Sequence, residues 1–146
     1  IEKAVEVGVS RIVPVLSERT IARPADAEVR VRRWDRKAEE AAKQSLRGAR
    51  PVIEELRSFP DLVAGERDRI RVIAHPGAPG SLKQILRRER SGGISLLVGP
   101  EGGFSPREIA AAEAAEWTTA GIGFSQMRAG TAAIVLCGII VYEWGG

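Results

Sequence analysis

The sequence has very few of the side chains that bind metals or form disulfides. It contains one cysteine, Cys137, and one histidine, His75, in 146 residues. A single cysteine excludes an intrachain disulfide framework and a multi-cysteine zinc or iron–sulfur site. One histidine is too few for a histidine-based zinc site. The sequence therefore predicts no metal site.

Long hydrophobic runs and targeting segments are missing too. The longest apolar stretch, 132–141, is about half the length that spans a membrane, so it predicts a buried helix and no membrane association. The N-terminus lacks the basic and apolar regions of a signal peptide, which makes a cytoplasmic location the expectation. Because residue 1 is Ile1, within a helix-like pattern, we expect a piece of a longer chain trimmed on its N-terminal side.

What is present fits one globular domain over residues 1–146. Hydrophobic residues make up 44% and charged residues 28%, which excludes a disordered or low-complexity chain. The net charge is +3, and 18 of the 22 basic residues are arginines. Arginine suits phosphate and nucleic-acid contacts. A solvated arginine-rich surface accounts for the same count, and charge alone favours that interpretation.

Short β-type runs alternate with helical patterns along the chain. The predicted strands are 11–16, 70–74, 94–98 and a short segment at 118–122, and the predicted helices are 35–47, 81–88, 106–116 and 131–142. Between residues 29 and 34, Val29, Val31 and Trp34 alternate with arginines ahead of the helix that is expected to begin at Asp35. This order predicts an α/β fold with an open, mostly parallel sheet flanked by helices.

Glycine-rich loops follow two of these strands, at 99–103 and 121–123. In open α/β sheets, ligands bind outside the carboxyl ends of the strands, which is where both loops fall. Neither loop is a phosphate-binding P-loop or a G-x-G-x-x-G dinucleotide loop. After the first loop, Ser105, Pro106 and Glu108 form the N-cap, first-turn proline and capping-box pattern of a helix start.

Three spaced motifs carry a resemblance to a known family. They are LLVGPEGGFSPREI at 96–109, KAVEVGVSRIVPVLSERT at 3–20, and Arg33-Trp34 followed by EAAKQS at 40–45 and Arg47. Over its whole length the chain resembles the small-subunit (16S) ribosomal RNA uridine-N3 methyltransferases of the SPOUT superfamily. The resemblance implies a C-terminal deep trefoil knot, a homodimer, and S-adenosylmethionine held bent in the knot loops. It also implies an N-terminal RNA-binding barrel, after which this chain begins.

The resemblance also implies site residues. The expected cofactor-binding residues are Val98, Gly99, Pro100, Glu101, Gly102, Gly103, Ile122, Gly123, Met127 and Arg128. Arg128 is the catalytic candidate, polarising the uridine or binding a phosphate of small-subunit ribosomal RNA. Arg33, Gln44 and Arg47 are the RNA-binding candidates, although their spacing on one helix fits a solvated face equally well.

The motif before the last helix departs from the family pattern. Where the family shows LG-x-RILR-x-ETA, this chain has Ser125 and Gly130 in place of an arginine and the glutamate. Two hypotheses therefore stay open: an active methyltransferase, and a cofactor- or RNA-binding module without turnover. A generic nucleotide-binding domain is a third, without a phosphate motif to support it.

Further expectations concern single residues. Gly102→Val should abolish cofactor binding, through crowding and through glycine-specific backbone angles. The apolar last helix should form the dimer contact, with Ile134 or Leu136 and Trp144 in it. His75 is expected either as a turn histidine or beside the cofactor. Cys137 is expected in the core rather than as a nucleophile.

Overall fold

A computed structural model of the chain describes residues 1–21, 26–46, 49–88, 92–121 and 127–145. The helices and strands within these ranges are α1 (Glu2–Val7), β1 (Arg11–Ile12), β2 (Val15–Leu16), α2 (Ala27–Gln44), β3 (Val52–Ile53), β4 (Arg57–Ser58), α3 (Phe59–Gly65), β5 (Ile70–Ala74), α4 (Leu82–Arg88), β6 (Ile94–Val98), α5 (Pro106–Ala114), β7 (Thr118–Ala120) and α6 (Ala129–Trp144).

The central sheet has the strand order β6-β5-β7, and both strand pairs are parallel. In its register, Ile73 pairs with Leu97 on one side and with Thr119 on the other. Two short parallel pairs, β1–β3 and β2–β4, extend the fold. The predicted α/β class with parallel strands is confirmed. The knot stays a prediction, because residues 122–126 lie outside the described ranges.

Adjacent residues of β5 point into two different cores. Val72 and Ile73 are both buried, and since strand side chains alternate, they face opposite sides of the sheet. The core on the side of Ile73 consists of Phe59, Leu62, Val63, Leu97, Phe104, Ala112 and Trp117, from α3, α5 and their neighbours. The core on the side of Val72 consists of Ile70, Leu82, Leu86, Ala120, Leu136 and Ile140, mainly from α4 and α6. Helices therefore flank the sheet on both faces.

One predicted strand is interrupted in the structure, and one predicted helix begins more than two residues earlier than expected. The run 11–16 is not one strand, because it is interrupted at Val13-Pro14, where the Pro14 carbonyl accepts a hydrogen bond from the Arg57 N–H but proline has no N–H of its own to donate. Helix α2 begins at Ala27 rather than at Asp35. Val31, Trp34 and the buried Ala38 follow helical spacing and lie on the inward-facing side of this helix. Val29 lies exposed on the other side.

The predicted start of α5 is confirmed in detail. The Glu108 N–H donates to Ser105 Oγ, and the Ser105 N–H donates to the Glu108 carboxylate, so both halves of the capping box are formed. Pro106 occupies the first turn. Strands β5 and β6 also have their predicted bounds. This part of the chain fixes how loop 99–103 joins the sheet to α5.

Candidate functional site

A cavity of about 280 Å³ lies at the carboxyl ends of the three central strands. Each strand contributes its last residue and the one after it: Ala74 and His75 from β5, Val98 and Gly99 from β6, and Ala120 and Gly121 from β7. This is the edge at which parallel α/β sheets bind ligands. The remaining lining residues are Arg19, Pro76, Pro100, Glu101, Gly102, Gly103, Phe104, Met127, Ala129, Ala132 and Leu136.

Most of the predicted cofactor-binding residues line this one cavity. Val98 and all of loop 99–103 form one wall, and Met127 lies on the wall that precedes α6. Arg128 is exposed and is not among the lining residues, although its neighbours Met127 and Ala129 are. Ile122 and Gly123 lie outside the described residues. The two glycine loops thus meet at the cavity as far as the structure describes them.

The three glycines of loop 99–103 differ in whether a side chain could replace their hydrogen. Gly103 has φ 67°, a left-handed conformation that favours glycine, and its N–H donates to the Pro100 carbonyl at 2.8 Å. A Cβ on Gly99 would lie 3.1 Å from the Phe104 ring. Gly102 has no left-handed φ, and a Cβ there would meet Arg19 at an ordinary 3.4 Å. The expectation that Gly102 needs glycine-specific angles is wrong, since Gly103 is the residue that needs them.

A second turn, at residues 76–80, packs tightly against β7. The Gly121 N–H donates to the Gly80 carbonyl at 2.9 Å, and the His75 N–H donates to the Ala120 carbonyl at 3.1 Å. A Cβ on Gly80 would lie only 2.6 Å from the Thr119 carbonyl oxygen, so the approach of the two backbones requires glycine. The turn thereby places half-buried His75 in the cavity lining. The glycine- and proline-rich run HPGAPG at 75–80 is typical of a turn, but it does not indicate the contact with β7.

Arg19 is a lining residue that sequence analysis did not select. It lies in the turn after β2, and its Nη1 donates to the Gly102 carbonyl at 2.7 Å. The described lining residues include one arginine, Arg19, one acidic residue, Glu101, and one histidine, His75. The sequence does contain a signal for Arg19, because it lies in the Glu-Arg-Thr end of the motif at 3–20. The family resemblance gives it no role there.

The RNA-binding candidates lie away from the cavity lining. Arg33 and Gln44 are both exposed, and their separation of eleven residues places them on the same face of α2. Arg47 lies outside the described residues. No residue of α2 is among the described residues that line the cavity.

The last helix divides its apolar residues between the core and the surface. Of the two alternative dimer contacts, Leu136 is 3% exposed and lines the cavity, whereas Ile134 is half-buried, so Ile134 is the one of the two that has surface left for a second copy. Trp144 is half-buried and donates from Nε1 to the Leu86 carbonyl. Val135, Val141 and Tyr142 are the exposed apolar residues of α6, and Tyr142 is 85% exposed.

The remaining reactive groups lie outside this arrangement. Burial raises the pKa of the half-buried Cys137 thiol, which fits a core residue rather than a nucleophile. Within the described ranges, no cluster of three or more histidine, cysteine or acidic side chains could hold a metal ion. Nor does any helix in those ranges have the length and apolarity to cross a membrane.

Comparisons with known proteins identify relatives of this chain. Residues 1–141 match the family model described as an RNA methyltransferase domain. A protein of Mycobacterium bovis named ribosomal RNA small subunit methyltransferase E is 31% identical over 147 residues, which cover 96% of this chain and 56% of that protein. A protein of the same name from Bacillus subtilis is 28% identical over 98% of this chain and 59% of its own length.

A solved structure gives the same result for the fold. The ribosomal RNA small subunit methyltransferase E of Neisseria gonorrhoeae, solved bound to S-adenosyl methionine, has a TM-score of 0.90 and 29% identity, over 98% of this chain and 60% of that one. The chain therefore spans somewhat more than half the length of these three proteins.

Proposed function

The chain belongs to the RNA methyltransferase domain family, and from this premise we propose that it transfers a methyl group from S-adenosylmethionine to N3 of a uridine in small-subunit ribosomal RNA. The observation that carries the proposal is the cavity at the ends of β5, β6 and β7, where the predicted loop 99–103 and Met127 meet. The Neisseria relative supports the choice of S-adenosylmethionine, and the relatives' names support a ribosomal RNA of the small subunit.

The residues of the cavity fit this cofactor. Its volume of about 280 Å³ lies just below the ~300–1,000 Å³ range of ligand pockets. Glycines on two sides leave backbone groups accessible, and a Cβ at Gly103 would extend into open space. Met127, Ala132 and Leu136 supply an apolar wall for a flat heterocycle. When bound, S-adenosylmethionine supplies a methyl group activated by its sulfonium.

The chain itself has to position the reactants and favour loss of the uridine N3 proton. A positive charge near the base lowers the pKa of an imide that ionises to an anion. Arg128 is our candidate for that charge, because it is exposed between the lining residues Met127 and Ala129. The exposed face of α2 with Arg33 and Gln44, together with Arg47, is our candidate for contacts with RNA phosphates.

We propose the knot and the dimer as the setting of this site. The resemblance implies the knot, in which the C-terminal segment of the family threads a loop. A second copy would cover Val135, Val141 and Tyr142, which α6 otherwise exposes to water. An interface of more than ~1,000 Å² in total is expected for such a pair.

One sequence feature keeps the non-catalytic alternative open. Ser125 and Gly130 stand where the family has an arginine and a glutamate. A Cβ at Gly130 would meet nothing within 4 Å, so the missing side chain removes no packing of the described residues. What it can remove is a polar contact to the substrate.

Two measurements on the same preparation separate the hypotheses. Calorimetry with S-adenosylmethionine tests binding, and transfer of tritiated methyl groups to unmodified 30S subunits tests turnover. Mapping the product by mass spectrometry should locate the methyl group on N3 of a uridine. Binding without transfer would favour the module without turnover, and binding of ATP or NAD instead would contradict the choice of cofactor.

A further inference from the structure

We infer that Arg19 is a positioning residue: it fixes the orientation of the Gly102–Gly103 peptide in the cavity wall, and Glu108 fixes the turn that carries Arg19. The expected effect of Arg19 on S-adenosylmethionine binding rests on the proposed function. The expected effect of Arg19 on the Gly102–Gly103 peptide is independent of that function.

The turn at residues 17–20 is rigidly built. The Thr20 N–H donates to the Ser17 carbonyl at 3.1 Å, and the Ser17 N–H donates to Thr20 Oγ1 at 3.0 Å. The two hydroxyls also lie within hydrogen-bond distance, at 2.9 Å, and Ser17 is buried. Arg19 therefore leaves the backbone from a fixed point beside the cavity.

Glu108 connects this turn to α5. Its side chain is buried, with the residue 5% exposed, and its two carboxylate oxygens accept from different backbone groups. Oε1 accepts from the Glu18 N–H and Oε2 from the Ser105 N–H, each at 2.8 Å. The second contact belongs to the capping box, but the first reaches a residue 90 positions away. One carboxylate thus joins Glu18, in the turn at 17–20, to Ser105, two residues after loop 99–103.

Arg19 closes a ring of contacts around the loop. Its Nη1 donates to the Gly102 carbonyl at 2.7 Å, and the N–H of the same peptide, on Gly103, donates to the Pro100 carbonyl at 2.8 Å. Both polar groups of this peptide are therefore satisfied in one orientation. Because glycine stands on both sides, no Cβ opposes rotation of the peptide plane. The two hydrogen bonds are what select its orientation.

Loss of the Arg19 contact frees this peptide to rotate. A rotated peptide would exchange a carbonyl and an N–H at the cavity wall, and so change which group a ligand meets. Lysine keeps the positive charge and can donate to the same carbonyl, whereas alanine removes both. Arg107, exposed on the first turn of α5 and outside the cavity lining, offers a matched control for the loss of one positive charge.

The first test is amide hydrogen exchange of the protein without ligand. Exchange at Gly103 should be at least about fivefold faster in Arg19→Ala than in wild type, and largely restored in Arg19→Lys. Arg107→Ala should match wild type. Glu108→Gln should accelerate exchange at both Glu18 and Gly103. If that variant unfolds, Arg19→Ala still decides, because Arg19 is not part of either core.

The second test is the Kd for S-adenosylmethionine by calorimetry. Arg19→Ala should weaken binding by roughly tenfold, about 1.4 kcal/mol, and transfer assays should show a raised KM for the cofactor with a smaller change in kcat. Unchanged exchange at Gly103 together with a Kd within twofold of wild type would overturn the inference. Failure of the wild-type chain to bind would contradict the proposed function, and the exchange data would still test Arg19.

Discussion

Replacing Gly80 by alanine tests the close approach of turn 76–80 to β7, which shapes one side of the cavity. A Cβ at this position would lie 2.6 Å from the Thr119 carbonyl oxygen, against an ordinary contact distance of 3.4 Å or more. The two backbones would have to separate by about 0.8 Å. That shift would lengthen the 2.9 Å hydrogen bond between the Gly121 N–H and the Gly80 carbonyl.

The expected cost follows from these two effects. Overpacking against a backbone that cannot move freely costs roughly 1–3 kcal/mol. Weakening one backbone hydrogen bond adds about 1 kcal/mol. We therefore expect Gly80→Ala to lower the free energy of unfolding by roughly 2–4 kcal/mol, which corresponds to a fall in Tm on the order of 6–12 °C for a chain of this size.

Urea unfolding of Gly80→Ala beside Gly77→Ala provides the assay and its control. Gly77 lies in the same turn with φ 78°, and a Cβ there would meet nothing within 4 Å. Its substitution therefore costs only the left-handed strain of about 1–2 kcal/mol. If Gly80→Ala is no less stable than Gly77→Ala, turn 76–80 does not approach β7 as described.

Three further predictions concern the capping box, the acid limb and the surface of α6. Ser105→Ala should lower stability by about 1 kcal/mol in urea unfolding, since it removes the acceptor for the Glu108 N–H; no change would contradict the cap. Burial disfavours the charged form of Glu66, but hydrogen bonds from the backbone of Arg67 and Asp68 and from Arg11 outweigh it and lower the Glu66 pKa below 4.5. Its carboxylate therefore adds stability above pH 4.5 that is lost as the pH falls through the lowered value, and Glu66→Gln should flatten this acid limb of the stability–pH curve; an unchanged curve would refute the assignment. Val135→Asp with Tyr142→Asp should convert a dimer to a monomer in sedimentation at micromolar concentration without changing the far-UV circular dichroism, because both side chains are exposed in the single chain; a wild-type monomer would refute the proposed pairing.

Local signals predicted the elements that position the site. Four of the five residues of strand β6 are apolar, and the Ser105–Glu108 capping box marks the start of α5 within four residues, so neither depends on distant contacts. Helix α3 was missed although Ser58 caps it, because seven residues with one short apolar face give little periodicity. The predicted start of α2 is wrong for a different reason. The alternation of apolar residues and arginines at 29–34 is not helical in period, although these residues belong to the longer helix.

Contacts between distant residues were beyond the sequence. Arg19 and Gly102 are 83 positions apart, and no spacing rule indicates that the Arg19 guanidinium donates to the Gly102 carbonyl. The need for glycine at position 80 likewise arises from Thr119 on another strand. The sequence leaves Ile134 and Leu136 as alternative dimer contacts, because an apolar helix alone does not reveal which of its sides faces its own core, where Leu136 lies. The loop that lines the cavity was predictable, whereas the residues that fix its shape were not.

The most direct test of the central claim is an amide hydrogen-exchange footprint of S-adenosylmethionine on the wild-type chain. The cavity at the ends of β5, β6 and β7 predicts protection at Gly102, Gly103 and Gly121 and at the residues before α6, with Arg33 and Gln44 on α2 unchanged. Protection that falls elsewhere, or none at cofactor concentrations that saturate related methyltransferases, would contradict the assignment of this cavity as the cofactor site.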